Sequence, residues 1–234
     1  LHACVNLLGP FSAAQYIKHL ETPKLTIADK HFRKFLIQSI ALKALYYIDL
    51  IKAHSPQTTP IIVIEEPLLV QFSRLSKMNE AITSEWIVRM LSNVVSKIKE
   101  HGAYAVIQSM EKCDWRVPIS SNPDMISFGA YKNPNNLNII PKIISDFILK
   151  GGKINWAIVP TDNENCVKSI QQDKLLKYLE TTFNNLIDNG VPTKYVYNSS
   201  TVSTFGSVEK LPIIQAEKAM LLATQLSEKI PVVG

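Results

Sequence analysis

A chain of 234 residues is long enough for one large domain with a sizeable core. An apolar fraction of 46% against 19% charged residues excludes a disordered segment. The net charge of +5 is interspersed with acids, as in Lys97, Lys99 and Glu100, without a run of five like charges, which argues against a nucleic-acid partner.

No stretch approaches 18 uninterrupted apolar residues, so no membrane-spanning helix and no membrane partner are expected. Leu1–Leu8 has neither a basic region nor a small-residue cleavage site, unlike a signal peptide. Cys4, Cys113 and Cys166 are odd in number and widely spaced. They read as reduced thiols of a cytoplasmic protein, not as a disulfide framework.

In chain order, short apolar runs alternate with helical patterns. Strands are expected at His2–Leu8, Ile61–Glu65, Ala103–Ser109, Met125–Tyr131, Ile154–Pro160 and Lys194–Ser199. The first long helix is Ala28–Ala53, started by Asp29, with Phe32, Phe35, Leu36, Ile40, Leu42 and Ile48 as its apolar stripe. Glu80–Glu100 follows, with Ile82, Trp86, Met90, Val94 and Ile98 at intervals of four and Gly102 beyond its end. Asn136–Leu149 contains Pro141, which places the true helix start near the proline. Asp173–Asp188 ends at Asn189-Gly190, and Leu211–Lys229 carries Pro212 in its first turn. This β-then-α alternation predicts an α/β protein with a parallel sheet. The absence of GxGxxG and GKS/GKT loops disfavours dinucleotide and P-loop folds.

Four stretches in order carry a family resemblance: Gly9-Pro10-Phe11-Ser12, Ile64-Glu65-Glu66-Pro67, the run from Gly151-Gly152 through Trp156 to Pro160-Thr161, and Thr204-Phe205-Gly206-Ser207 before Ala216-Glu217-Lys218. The chain resembles the catalytic barrel of cobalamin-independent methionine synthase and its short relatives, grouped with uroporphyrinogen decarboxylase. The resemblance implies a parallel (β/α) TIM-type barrel with six of the eight βα units in this chain. It also implies one domain, 1–234, lacking the first two units. Those units have no counterpart here, and six alone would leave two raw sheet edges.

Relatives hold a zinc ion that keeps a homocysteine thiol ionised. Matching their motifs puts Gln108 at the ligand His, Met110 at the first Cys, Gly129 at the Glu and Ser203 at the last Cys. No zinc is therefore expected at that site, because a thioether, an amide and a hydroxyl are poor ligands and glycine offers none. Cys113 is a stray thiol nearby in sequence, most simply a loop residue. None of the five histidines has ligand spacing, and His31, His54 and His101 suit helix termini.

Glu65 and Glu66 end an apolar strand and point to opposite sides. By resemblance Glu65 holds the amino group of an amino-acid substrate. The competing reading is a solvated strand end, with Glu66 facing outer helix N-termini. Gly9-Pro10 reads as a strand-to-helix turn, Asp114 and Trp115 either as lining the barrel mouth or as a loop whose aromatic packs on the rim, and Thr161-Asp162 as a cap for the next helix. The candidate ligand residues are thus Glu65, Glu66, Gln108 and Ser203.

The implied activity is methyl transfer from a methylated folate or corrinoid donor to a thiol, without the family zinc. The alternatives are a non-catalytic ligand-binding or scaffold protein and, more weakly, uroporphyrinogen-decarboxylase-like chemistry. No cofactor bound by this chain itself is expected. An amino-acid or thiol ligand, and an oligomer or corrinoid-protein partner, are compatible with the family.

Overall fold

The structure is a computed structural model that describes residues 1–17, 29–80, 82–133, 135–137 and 139–230. The chain divides into two compact units, one of residues 1–109 and 113–126, the other of 110–112 and 127–234.

In the first unit, β1 (His2–Leu8) pairs in parallel with β2 (Thr59–Glu65), and β2 pairs in parallel with β3 (Tyr104–Ser109). The register aligns Leu8 with Glu65 and Glu65 with Gln108, so one pleat row ends in these side chains. Each crossover carries helices, as parallel pairing requires. These are α1 (Pro10–Tyr16) and α2 (Lys30–His54) after β1, then a 3-10 turn Pro67–Gln71, α3 (Phe72–Met78) and α4 (Ser84–Glu100) after β2. Asp29 accepts the His31 and Phe32 N–H groups at the start of α2, as its side chain suggests. The expected start at Ala28 lies outside the described residues, as does His19. Thr83 caps α4 from the Trp86 N–H, several residues after the expected start at Glu80. Gly102, at φ +67°, takes the left-handed position that ends that helix. α5 (Arg116–Ser120) follows β3.

The face that α2 buries differs from the expected stripe. Leu36, Ile40, Ala41, Ala44 and Ile48 are buried, whereas Phe35 and Leu42 are 64% and 66% exposed. Ala41 and Ala44 lie on the buried face, and α2 packs against α4, β1 and β2, which leaves the bulkier Phe35 and Leu42 outward.

In the second unit, β5 (Lys153–Val159) pairs in parallel with β6 (Ser200–Thr204). α6 (Pro141–Leu149) precedes β5 and begins at the proline, as Pro141 predicts. α7 (Glu164–Ser169) and α8 (Gln172–Asp188) follow β5, and α10 (Ile213–Glu228) follows β6. The edge-to-face contacts Phe128–Trp156, Trp156–Phe183 and Phe183–Tyr197 run through the buried layer between sheet and helices.

The strand expected at Lys194–Ser199 is a helix, α9 (Thr193–Asn198), and the strand is the polar segment that follows it. Pro192 sits at the helix N-cap, and Val196 is buried on the helical turn. Ser200–Thr204 becomes a strand because it can pair along β5, with the Trp156 indole N–H donating to Ser200 Oγ. Register and packing override the stronger β-propensity of Tyr195, Val196 and Tyr197. The expected strand Met125–Tyr131 is also shorter: β4 (Met125–Phe128) stops before Gly129.

The six strands hydrogen-bond in the order β1-β2-β3-β4-β5-β6, with β1 and β6 at the two ends. The protein is therefore α/β with a parallel, sequentially ordered sheet. Leu7, Val63, Val106, Ile126 and Ala157 are all buried on that sheet. Among the described residues, no helix is long and apolar enough to cross a membrane.

Candidate functional site

The two glutamates at the end of β2 have separate environments. Glu65 Oε1 accepts the Asn6 amide at 2.8 Å and the Gln108 amide at 3.2 Å. The amides come from β1 and β3, so three adjacent strands build one cluster. Asn6 Oδ1 in turn lies 3.8 Å from Cys4 Sγ, which donates to it. Burial, and secondarily the Glu65 carboxylate, push the Cys4 thiol up, so it stays neutral. Glu65 is only half-buried and receives neutral donors on Oε1. Among the described residues, none of the ion pairs involves it.

Glu66 points the other way, into the first turn of α1, and is fully buried. Oε1 accepts the Phe11 N–H at 2.9 Å; Oε2 accepts the Ser12 N–H at 2.7 Å and the Ser12 hydroxyl at 2.6 Å. Ser12 Oγ also accepts the Leu68 N–H at 3.0 Å, tying the turn after β2 to the same point. Three donors would favour a carboxylate, yet complete burial outweighs them and raises the Glu66 pKa to about 7. Gly9 makes the seat possible: a Cβ there would lie 2.3 Å from Glu66 Oε1. The Gly9-Pro10-Phe11-Ser12 motif is therefore the socket of Glu66 as well as a turn. Glu66 faces a helix N-terminus, as one sequence reading held, but it is buried and not solvated.

Cys113 is buried and its thiol is pushed up to about 12, chiefly by burial. A thiol held so firmly neutral is a poor nucleophile at neutral pH. Asp114 is paired with Arg116 at 2.7 Å, and Trp115 packs into the core at 1% exposure.

In the second unit, Ser203 belongs to a neutral hub. Asn155 Nδ2 donates to Ser203 Oγ at 2.7 Å and to Ser127 Oγ at 2.8 Å, while the Thr201 hydroxyl donates to Asn155 Oδ1 at 3.1 Å. Ser203 is thereby engaged in a hydrogen-bonded hub of the second unit, whereas Glu65 and Gln108 belong to the first. Asp162 pairs with Lys132 at 2.6 Å, and the cap of α7 is Asn163, one residue beyond the expected pair.

The residues matched to the zinc ligands do not fit a metal ion. A Cβ on Gly129 would stand 2.1 Å from the Met110 carbonyl oxygen and 2.6 Å from the Phe205 ring, so the backbone here admits no ligating side chain. Gln108 donates to Glu65, and Ser203 accepts from Asn155. Among the described residues, no group of three or more His, Cys, Asp or Glu side chains is placed to hold a metal ion.

Sequence reasoning missed Asn6, Asn155 and Ser12. For Asn6 and Asn155 the signal was available, since each is a lone amide in an otherwise apolar strand, as the Glu65 carboxylate is. The role of Ser12 required the fold.

No protein-family model matches the chain, and no curated protein matches it.

Proposed function

We propose that this chain is a zinc-free, methionine-synthase-like protein that has kept an amine-binding strand end and lost the metal-dependent step. The observation that carries the reading is Glu65: a half-buried carboxylate at the C-terminal end of a parallel strand, with one oxygen oriented by two neutral amides. The C-terminal ends of parallel strands are where such folds place their ligands. A carboxylate so oriented suits the ammonium group of an amino acid such as methionine or homocysteine. Methyl transfer to a thiol from a methylated folate or corrinoid would need a base in place of zinc. The steric closure of Gly129 favours binding without that reaction.

Calorimetry on the whole chain tests this. Methionine or homocysteine is expected to bind, and Glu65→Gln to weaken binding roughly tenfold or more, as for a lost charge-assisted contact. No binding to the wild type, or equal binding to the variant, overturns the proposal.

A further inference from the structure

A carboxylate has two oxygens with two lone pairs each, and at Glu65 they are used unequally. Among the described residues, both hydrogen bonds to this side chain fall on Oε1, from Asn6 Nδ2 at 2.8 Å and Gln108 Nε2 at 3.2 Å. Two donors fill the lone pairs of Oε1. Oε2 receives neither of them and is not sealed from solvent. The arrangement is held from both sides of β2. Gln108 stands directly opposite Glu65 on β3, and Asn6 lies two residues before Leu8, the residue opposite Glu65 on β1. One neighbour thus reaches the carboxylate straight across and the other diagonally.

The Asn6 amide has one workable orientation. A carboxylate only accepts, so Nδ2 faces Glu65, and Oδ1 then faces the Cys4 thiol 3.8 Å away. Burial keeps that thiol protonated and able to donate. Both amides are neutral, so they orient the Glu65 carboxylate without setting an opposing charge against it. Cations differ in how they use such a group. A guanidinium binds best as a fork, with parallel N–H groups on both oxygens. That fork needs a lone pair of Oε1, and both are taken. An ammonium is a compact donor for which one oxygen suffices.

We infer that Asn6 and Gln108 determine the specificity of this site: by occupying Oε1 they restrict Glu65 to recognition through Oε2, so that it takes a primary ammonium group in preference to a guanidinium. This selectivity rests on Glu65 being an amine site. Calorimetry on the full chain with two probes is the test. One is L-methionine; the other is its N-amidino derivative, in which a guanidinium replaces the ammonium and the rest of the molecule is unchanged. The wild type is expected to bind methionine at least about tenfold more tightly, as when one charge-assisted bond of the fork is denied. Asn6→Leu and Gln108→Met keep the side-chain volume and remove the donors. Each should narrow the preference, and the double variant should bring the two probes to near parity. The circular dichroism of every variant should match the wild type. Equal binding of the two probes by the wild type overturns the proposal and leaves Glu65 an amine site. A preference that survives in the double variant also overturns it, because size alone then separates the probes. Parallel loss of both probes in the variants overturns it too, since Asn6 and Gln108 are then structural only. No binding of either probe by the wild type overturns the amine site itself, and the selectivity with it.

Discussion

The strands of the two units use polar residues in opposite ways. In the first unit, adjacent carboxylates at the end of β2 are split between an open cluster and a sealed helix socket. In the second, the polar groups within the strands are amide and hydroxyl, with Asn155 bonded to Ser127, Thr201 and Ser203. Charge left half-exposed can meet a ligand, whereas neutral groups that satisfy one another hold the sheet together. On the proposed reading recognition lies with Glu65, whereas the hub of the second unit satisfies its own polar groups.

The largest expected effect is at the sealed socket. Glu66→Ala should cost about 3 kcal/mol or more, because it strands the Phe11 and Ser12 N–H groups in a buried site. Gly9→Ala should cost a similar amount by driving a Cβ into the carboxylate. Denaturant titration checks both. An effect below about 1 kcal/mol would mean that Glu66 is replaceable and that its contrast with Glu65 is unimportant.

Gly129→Ala should be nearly as severe in the second unit, since the Met110 carbonyl is backbone and cannot swing away. A loss of roughly 2–4 kcal/mol in the same assay is the expected outcome. A tolerated alanine would show that a side chain, and with it a metal ligand, can be accommodated there.

The pH dependence follows from the raised Glu66 pKa. The ordinary value is 4.5 and the folded value is about 7, so between them the folded chain holds a proton that the unfolded chain releases. The contribution is complete below 4.5, declines as pH rises, and is gone above 7. Its size is on the order of 3 kcal/mol. The stability difference between wild type and Glu66→Gln should trace this decline, and a difference independent of pH would show that Glu66 is ionised throughout.

Asn155→Ala should cost roughly 1–3 kcal/mol through the three hydrogen bonds to Ser127, Ser203 and Thr201 that it removes. It should leave any binding at Glu65 unchanged. A binding defect without a stability defect would reverse the assignment of roles. Smallest is Asp162→Asn, which breaks a partly exposed pair with Lys132 and should change stability by less than about 1 kcal/mol.

Sequence alone determined the α/β class, the parallel order and most of the elements. Continuous apolar runs between helical periodicities leave a buried parallel strand as the simplest solution, and Asp29, Gly102 and Pro141 mark helix ends through their own backbone chemistry. The importance of Glu65 and Glu66 was also legible, because two charges in an apolar strand must be accounted for. The tertiary structure decided which carboxylate is sealed and which is open, since that depends on Gly9 and Ser12, more than fifty residues away in sequence. It also decided that Tyr195–Tyr197 coils while Ser200–Thr204 pairs, because pairing along β5 outweighs local propensity. The buried face of α2 was decided there too. A helix with apolar residues nearly all round does not encode which side faces the core, and packing against β1, β2 and α4 settles it.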